Sequence, residues 1–204
     1  MKTKLLSTED PQAIPTAIQI IEDHGVIAFP TDTLYGVAAD PFCPEALLNV
    51  YAAKKRPKEM ALPVLIGDFG QLEQLVSHIS DEVTQITKAF WPGALTLILP
   101  KRPNLPPDLS PYPTVGIRMP DLAFTLKLLQ QTGPLATTSA NISGGPNPTT
   151  ADEVFSQLGG RIDLILDGGL APGGTASTIL LITDDEFKIL RQGPLTLTDI
   201  KNAI

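Results

Sequence analysis

Four cations stand in short motifs spread along this chain. Lys54 and Arg56 belong to Lys54-Lys55-Arg56-Pro57-Lys58, Arg118 to Thr114-Val115-Gly116-Ile117-Arg118-Met119-Pro120, and Arg191 to Leu190-Arg191-Gln192-Gly193-Pro194. A lysine supplies a point charge and an arginine a planar fork, a combination suited to polyphosphate and carboxylate groups. Each motif also has a plainer reading. Lysines at the end of a helix are favoured by its dipole. An arginine closing an apolar strand can pair with a protein carboxylate such as Asp121. Singly the motifs are weak; together they suggest one anion site served by distant segments.

Three hydroxyl-rich stretches accompany them. Phe29 to Asp40, FPTDTLYGVAAD, sets Thr31, Asp32, Thr33 and Tyr35 ahead of Gly36, just after the apolar run Val26 to Phe29. Hydroxyls at a strand end beside a glycine suit a polar ligand that the backbone approaches closely. The same residues can also form a turn that bonds its own backbone. In Thr137 to Gly145, Ser139 and Asn141 can bond a phosphate or ribose, or cap the turn. Thr175-Ala176-Ser177-Thr178 enters another apolar strand.

Other chemistries lack their residues. Cys43 is the only cysteine, so no internal disulfide or cysteine-rich zinc site can form. His24 and His78 have no Cys or His neighbours, and Ser139 has no evident His–Asp partners for a hydrolase triad. Gly168 to Thr175, GGLAPGGT, misses the P-loop pattern because Gly174 stands in the lysine's place. Trp91 reads most simply as a core or hinge anchor.

The elements that must position these groups follow from periodicity. Ile14, Ala17, Ile18 and Ile21 recur at helical spacing, and Val26 to Phe29 follows as a strand. Pro44 to Ala53 is predicted helical, Leu62 to Ile66 extended, and Gln71 to His78 and Asp81 to Phe90 helical. Ala94 to Leu99 and Val115 to Arg118 are strands, Leu122 to Leu129 a helix, Leu135 to Thr138 extended and Ala151 to Leu158 a helix. Leu164 to Leu166, Ser177 to Ile182 and Phe187 to Leu190 complete the strands before a short final helix. Pro103 to Pro113, with five prolines, is the one candidate flexible loop and reads as a hinge or lid. This alternation argues an α/β chain, with a mixed sheet covered by helices on both faces.

The 204 residues favour one domain, and a hydrophobic fraction of 43% is enough for a substantial core. A net charge of -7 excludes a wholly basic nucleic-acid surface but not a local basic cleft. The lone cysteine and the polar turn after the first two leucines point to a reducing cytoplasm without a signal peptide. No apolar run approaches bilayer length, so no membrane partner is expected.

In order, FPTDTLYGVAAD, KKRP with ALPVLI, WPGALTLIL, TVGIRMP, TTSANISG, ASTIL and LRQGP resemble the YrdC-type L-threonylcarbamoyladenylate synthase family. The resemblance implies a single domain over 1–204, in the short form of the family. Its fold would be three-layered, with a twisted mixed sheet enclosing a concave, electropositive cleft. The implied reaction joins L-threonine, bicarbonate and ATP to give threonylcarbamoyl-AMP and pyrophosphate. Other proteins then carry the threonylcarbamoyl group to an adenosine beside the anticodon of tRNA, and tRNA or RNA contact is itself implied. By motif, Lys54 and Arg56 would hold and neutralise ATP phosphates without any protein nucleophile. Thr33, Arg118, Ser139 and Ser177 would bind threonine. Thr114, Asn141, Thr149 and Arg191 would contact nucleotide. Magnesium would accompany ATP, with Asp32 a weak candidate ligand. Leu65 replaces a histidine often found after the lysine–arginine motif, and Met60-Ala61 replaces a polar residue and proline. Two other readings share the scaffold: an RNA-binding paralogue without adenylation, and a carbamoyl-transfer domain of the hydrogenase-maturation kind.

Overall fold

A computed structural model describes residues 2–182 and 187–203. In chain order the elements are β1 (Lys4–Ser7), α1 (Ala13–Glu22), β2 (Ile27–Pro30), β3 (Tyr35–Ala39), α2 (Pro44–Lys54) and β4 (Val64–Leu65). A 3-10 helix (Phe69–Gln74), α3 (Asp81–Phe90), β5 (Leu95–Pro100), β6 (Thr114–Arg118), α4 (Ala123–Thr132) and β7 (Leu135–Ser139) follow. The chain continues through α5 (Ala151–Leu158), β8 (Leu164–Asp167), β9 (Thr178–Ile182), β10 (Phe187–Arg191) and α6 (Leu197–Lys201). No helix among the described residues is long and apolar enough to cross a membrane.

The strands form one mixed sheet in the order β1-β8-β2-β3-β7-β4-β6-β5-β9-β10. Side chains alternate between its faces. On β2, Ile27 and Phe29 join Ala13, Ile14, Ala17 and Ile21 of α1 and Leu128 and Leu129 of α4. Val26 and Ala28 point the other way, into a larger core with Leu47 and Val50 of α2, Ile86 of α3 and Val154 of α5. Helices therefore lie on both faces, as the sequence predicts.

Local chemistry sets the helix ends. Pro44 opens α2, where its missing N–H costs nothing. Ser80 caps α3 by accepting from the Val83 N–H, and Asp81 and Glu82 complement the dipole in the first turn. Trp91, which ends α3, is 5% exposed and donates its indole N–H to the Leu95 carbonyl at 2.7 Å. It is thus the anchor expected, and it fixes the turn that carries Gly93 into β5.

Two predicted elements are corrected. The helical pattern of Gln71 to His78 becomes a 3-10 helix over Phe69–Gln74. Asp68 caps it, and Val76 is drawn into a bridge with Lys101 instead of continuing a helix. Pro103 to Pro113 is not a free lid. Leu105 and Leu109 enter the core, each worth roughly 1.5–3 kcal/mol against exposure. The Leu62 N–H donates to the Leu109 carbonyl at 2.9 Å, and the Lys101 ammonium donates to the Ser110 carbonyl at 2.7 Å.

Candidate functional site

On one sheet face, the part on β6 and β5 lies outside the α1–α4 core, and it carries glycine, threonine and arginine beside Ile98. Leu65 pairs with Arg118 and lies in the core beneath α1 and α4, so Arg118 shares that face. Alternation on β6 adds Gly116 and Thr114, while Val115 and Ile117 enter the opposite core. A Cβ on Gly116 would stand 3.3 Å from Thr96 Cγ2, which puts Thr96 of β5 on the same floor. Gly36 of β3 is tighter still: a Cβ there would meet Thr137 Cγ2 at 2.7 Å. The glycines keep the floor low, and the result is a shallow polar cleft.

Two arginines occupy one end of it. Arg118, 6% exposed, donates its Nε–H to the Gly93 carbonyl at 2.9 Å and an Nη1–H to Thr33 Oγ1 at 2.8 Å. Its Nη2 donates to Asp32 Oδ1 in the one ion pair among the described residues. Burial pushes the Arg118 pKa down and Asp32 pulls it back up. Arg191 donates Nε–H and Nη2–H to the Ser177 carbonyl at 3.0 and 2.8 Å, and Nη2–H to Ser177 Oγ at 3.0 Å. Ser177 Oγ lies 2.9 Å from Thr96 Oγ1. Burial, then the like charge of Arg118, lowers the Arg191 pKa, and strand register sets Arg191 and Thr96 on either side of Ile179.

Lys54 and Arg56 form a second pair at the end of α2. Lys54 is 1% exposed. Its ammonium donates to the carbonyls of Ser139 and Asn141, the latter at 2.6 Å, and to Asn141 Oδ1 at 3.3 Å. The Ser143 N–H returns a bond to the Lys54 carbonyl at 2.9 Å. Burial and the Arg56 charge push the Lys54 pKa down to about 7. Three oxygen acceptors oppose this, because only the protonated amine has three donors. Arg56 donates Nε–H to the Met60 carbonyl at 3.3 Å and Nη2–H to the Ala61 carbonyl at 3.0 Å. Its Nη1 bonds no described residue.

The first hydroxyl loop links the pairs. Thr33 touches Arg118, Thr33 Oγ1 lies 2.9 Å from Thr31 Oγ1, and Thr31 receives Leu34 N–H at 3.2 Å. Two residues on, the Tyr35 carbonyl accepts the Ala140 N–H at 2.9 Å, beside the loop that Lys54 holds. The cations thus fall into two pairs, one touching Thr33 and the other holding the 139–141 loop that the Tyr35 carbonyl joins. Thr33, Arg118, Ser177 and Arg191 come together, with Thr114 on the same floor. Ser139 and Asn141 gather over Lys54, joined by the Ser139 hydroxyl donating to Asn141 Oδ1 at 2.6 Å.

Several expectations need correction. Lys54 does not present an open ammonium to solvent; its donors serve the 139–141 loop. Thr149 donates its N–H and hydroxyl to Glu153 Oε2 at 2.6 and 3.1 Å. The partner of Arg118 is Asp32, while Asp121 is exposed. That pairing engages only Oδ1 of the Asp32 carboxylate. No cluster of three His, Cys, Asp or Glu side chains occurs among the described residues. Leu65, in the histidine's place, packs into the α1–α4 core.

Sequence reasoning missed Thr96, Gly93 and Gly173. Alternation along Leu95-Thr96-Leu97 was the available signal for Thr96. Gly173 presses on the first hydroxyl loop: a Cβ there would meet the Asp32 carbonyl oxygen at 2.5 Å.

A family profile described as "Telomere recombination" and named for Sua5, YciO and YrdC matches residues 19–193. A Bacillus subtilis threonylcarbamoyl-AMP synthase is 43% identical over 99% of this chain and 59% of its own length. A Mycobacterium tuberculosis protein proposed to have that activity is 36% identical over 99% of this chain and 95% of its own. Among solved structures, Pyrococcus abyssi Sua5 complexed with L-threonine superposes with a TM-score of 0.93 at 36% identity, over the whole of this chain and 61% of that one. The chain therefore spans about three fifths of the Bacillus and Pyrococcus proteins. A cleft floored by glycine and threonine, two cation pairs and these matches agree, and the chain belongs to the Sua5/YciO/YrdC family.

Proposed function

We propose that this chain is a threonylcarbamoyl-AMP synthase, joining L-threonine, bicarbonate and ATP with release of pyrophosphate. The observation that carries the reading is the pair of cation sets linked through the hydroxyl loop 31–35. One set is built on strand ends with hydroxyl neighbours, which suits a small amino acid. The other lies at a helix end beside the Ser139–Asn141 loop, which suits phosphates. The solved Pyrococcus abyssi Sua5 complex with L-threonine supports threonine as the amino acid.

In this reading Arg118 grips the threonine carboxylate, with Thr33 and Ser177 orienting its polar groups. The amine adds to bicarbonate-derived carbon, and the resulting N-carboxylate attacks the ATP α-phosphorus. Pyrophosphate leaves along the P–O bond that breaks. No protein nucleophile takes part, so the protein's task is alignment and charge neutralisation. Arg56 supplies the accessible guanidinium on the phosphate side. Lys54 supplies buried positive charge behind Ser139 and Asn141. Thr114 and Arg191 extend the floor toward the nucleotide. Magnesium carried in on the ATP phosphates fits this donor set better than a protein-held ion. The product would pass to partner proteins acting on tRNA, in a reducing cytoplasm consistent with the lone Cys43.

Purified protein is expected to release pyrophosphate from ATP only when threonine and bicarbonate are both present, with serine as the control amino acid. Equal release without threonine would overturn the reading.

A further inference from the structure

We propose that Asp32 determines specificity by binding the α-ammonium group of the substrate, so that Asp32 and Arg118 together select a free α-amino acid over a carboxylate lacking the amine. The inference rests on the threonine reading above and deepens it.

The chain holds 22 acidic and 15 basic side chains, yet Asp32–Arg118 is the only ion pair among the described residues. Its two side chains are 13% and 7% exposed, so solvent screens the pair little. Only Asp32 Oδ1 is engaged. Oδ2 accepts no hydrogen bond from a described residue, and no buried side-chain oxygen among the described residues lacks a partner, so Oδ2 is open to solvent. Arg118 likewise keeps one unused N–H on each of Nη1 and Nη2. A solvent-reaching carboxylate oxygen and guanidinium donors that no described residue uses thus belong to one ion pair.

A free α-amino acid carries the mirror image of that pattern, with ammonium and carboxylate on one carbon. Its carboxylate meets the remaining Arg118 donors while its ammonium meets Asp32 Oδ2. Four charges then alternate, and each is stabilised by two neighbours. A ligand with only a carboxylate loses half of these contacts and is repelled by Asp32. Neutralising Arg118 would not require an open Oδ2; recognising a zwitterion does.

The carboxylate is also held still. The Thr33 N–H donates to Thr31 Oγ1 at 3.1 Å, and the Gly174 N–H donates to the Thr33 carbonyl at 2.9 Å. Gly173 closes on the Asp32 carbonyl oxygen so tightly that a Cβ would stand 2.5 Å away. Asp32 is pre-organised before any ligand arrives, and ordering it costs the complex little.

Calorimetry with L-threonine and with its analogue bearing hydroxyl in place of the α-ammonium tests this on the wild type and on Asp32→Asn. The asparagine keeps an oxygen for Arg118 and removes the charge. Wild type is expected to prefer threonine by about tenfold or more. D32N is expected to bind the two ligands within about threefold of one another, with ATP affinity within about twofold of wild type. Wild type binding both ligands equally overturns the proposal without any variant. D32N that keeps the wild-type preference, however weakened, also overturns it while leaving the threonine reading intact. Wild type that binds no threonine overturns both.

Discussion

Lys54 and Arg118 are both buried cations beside the cleft, yet their charges are balanced in different ways. Lys54 faces two carbonyls and an amide oxygen, with no carboxylate partner. Arg118 faces one carboxylate, one hydroxyl and one carbonyl, and retains donors. Dipoles that surround a cation fully make a strut, because nothing is left to exchange with a ligand. A carboxylate that satisfies part of a guanidinium makes a receptor, because the remaining N–H groups want an anion. The difference predicts that Lys54 acts mainly on stability and Arg118 mainly on binding.

The most severe test is Arg118→Ala. Threonine affinity by calorimetry should fall about a hundredfold or more, while ATP affinity changes within about threefold. A larger loss on ATP would place this arginine with the phosphates and dissolve the contrast. Lys54→Met should lower unfolding free energy in urea by about 2–4 kcal/mol, since it leaves the Ser139 and Asn141 oxygens without a donor. A fully stable K54M with lost ATP binding would show that Lys54 is a receptor too.

The smallest effect tests the fold behind the hydroxyl loop. Tyr35 donates to the Gly169 carbonyl at 2.7 Å and receives the Gly168 N–H at 3.1 Å. Burial pushes its pKa up from 10.0 to about 12. Between those values the native state holds a proton that the unfolded chain has lost. Stability should therefore fall as pH rises from 10 toward 12. Tyr35→Phe should flatten that fall, as measured by urea midpoints across the alkaline range.

Much of this architecture was legible in the sequence. Helical periodicity and caps gave α1, α2 and α3, and apolar runs gave β5, β6 and β9. β3 was hidden because Tyr35-Gly36-Val37-Ala38-Ala39 is buried throughout and shows no alternation. β1 was hidden because a four-residue edge strand is mostly exposed and reads as polar chain. The prolines of 103–113 masked Leu105 and Leu109, whose burial decides how that segment behaves. At the site, motif spacing pointed to the cations but not to their partners. Asp32 and Arg118 are 86 residues apart, and no local pattern couples them.

The strand order carries a consequence for biosynthesis. β1 pairs in parallel with β8, Lys4 against Leu164, and β2 also leans on β8. β1 thus has no strand neighbour until the chain has been made through Asp167. Such distant pairing slows the search for the native state. Until then Leu6 emerges without its packing against the α1–α4 core, and a nascent chain stalled before β8 is expected to be a ready client for chaperones.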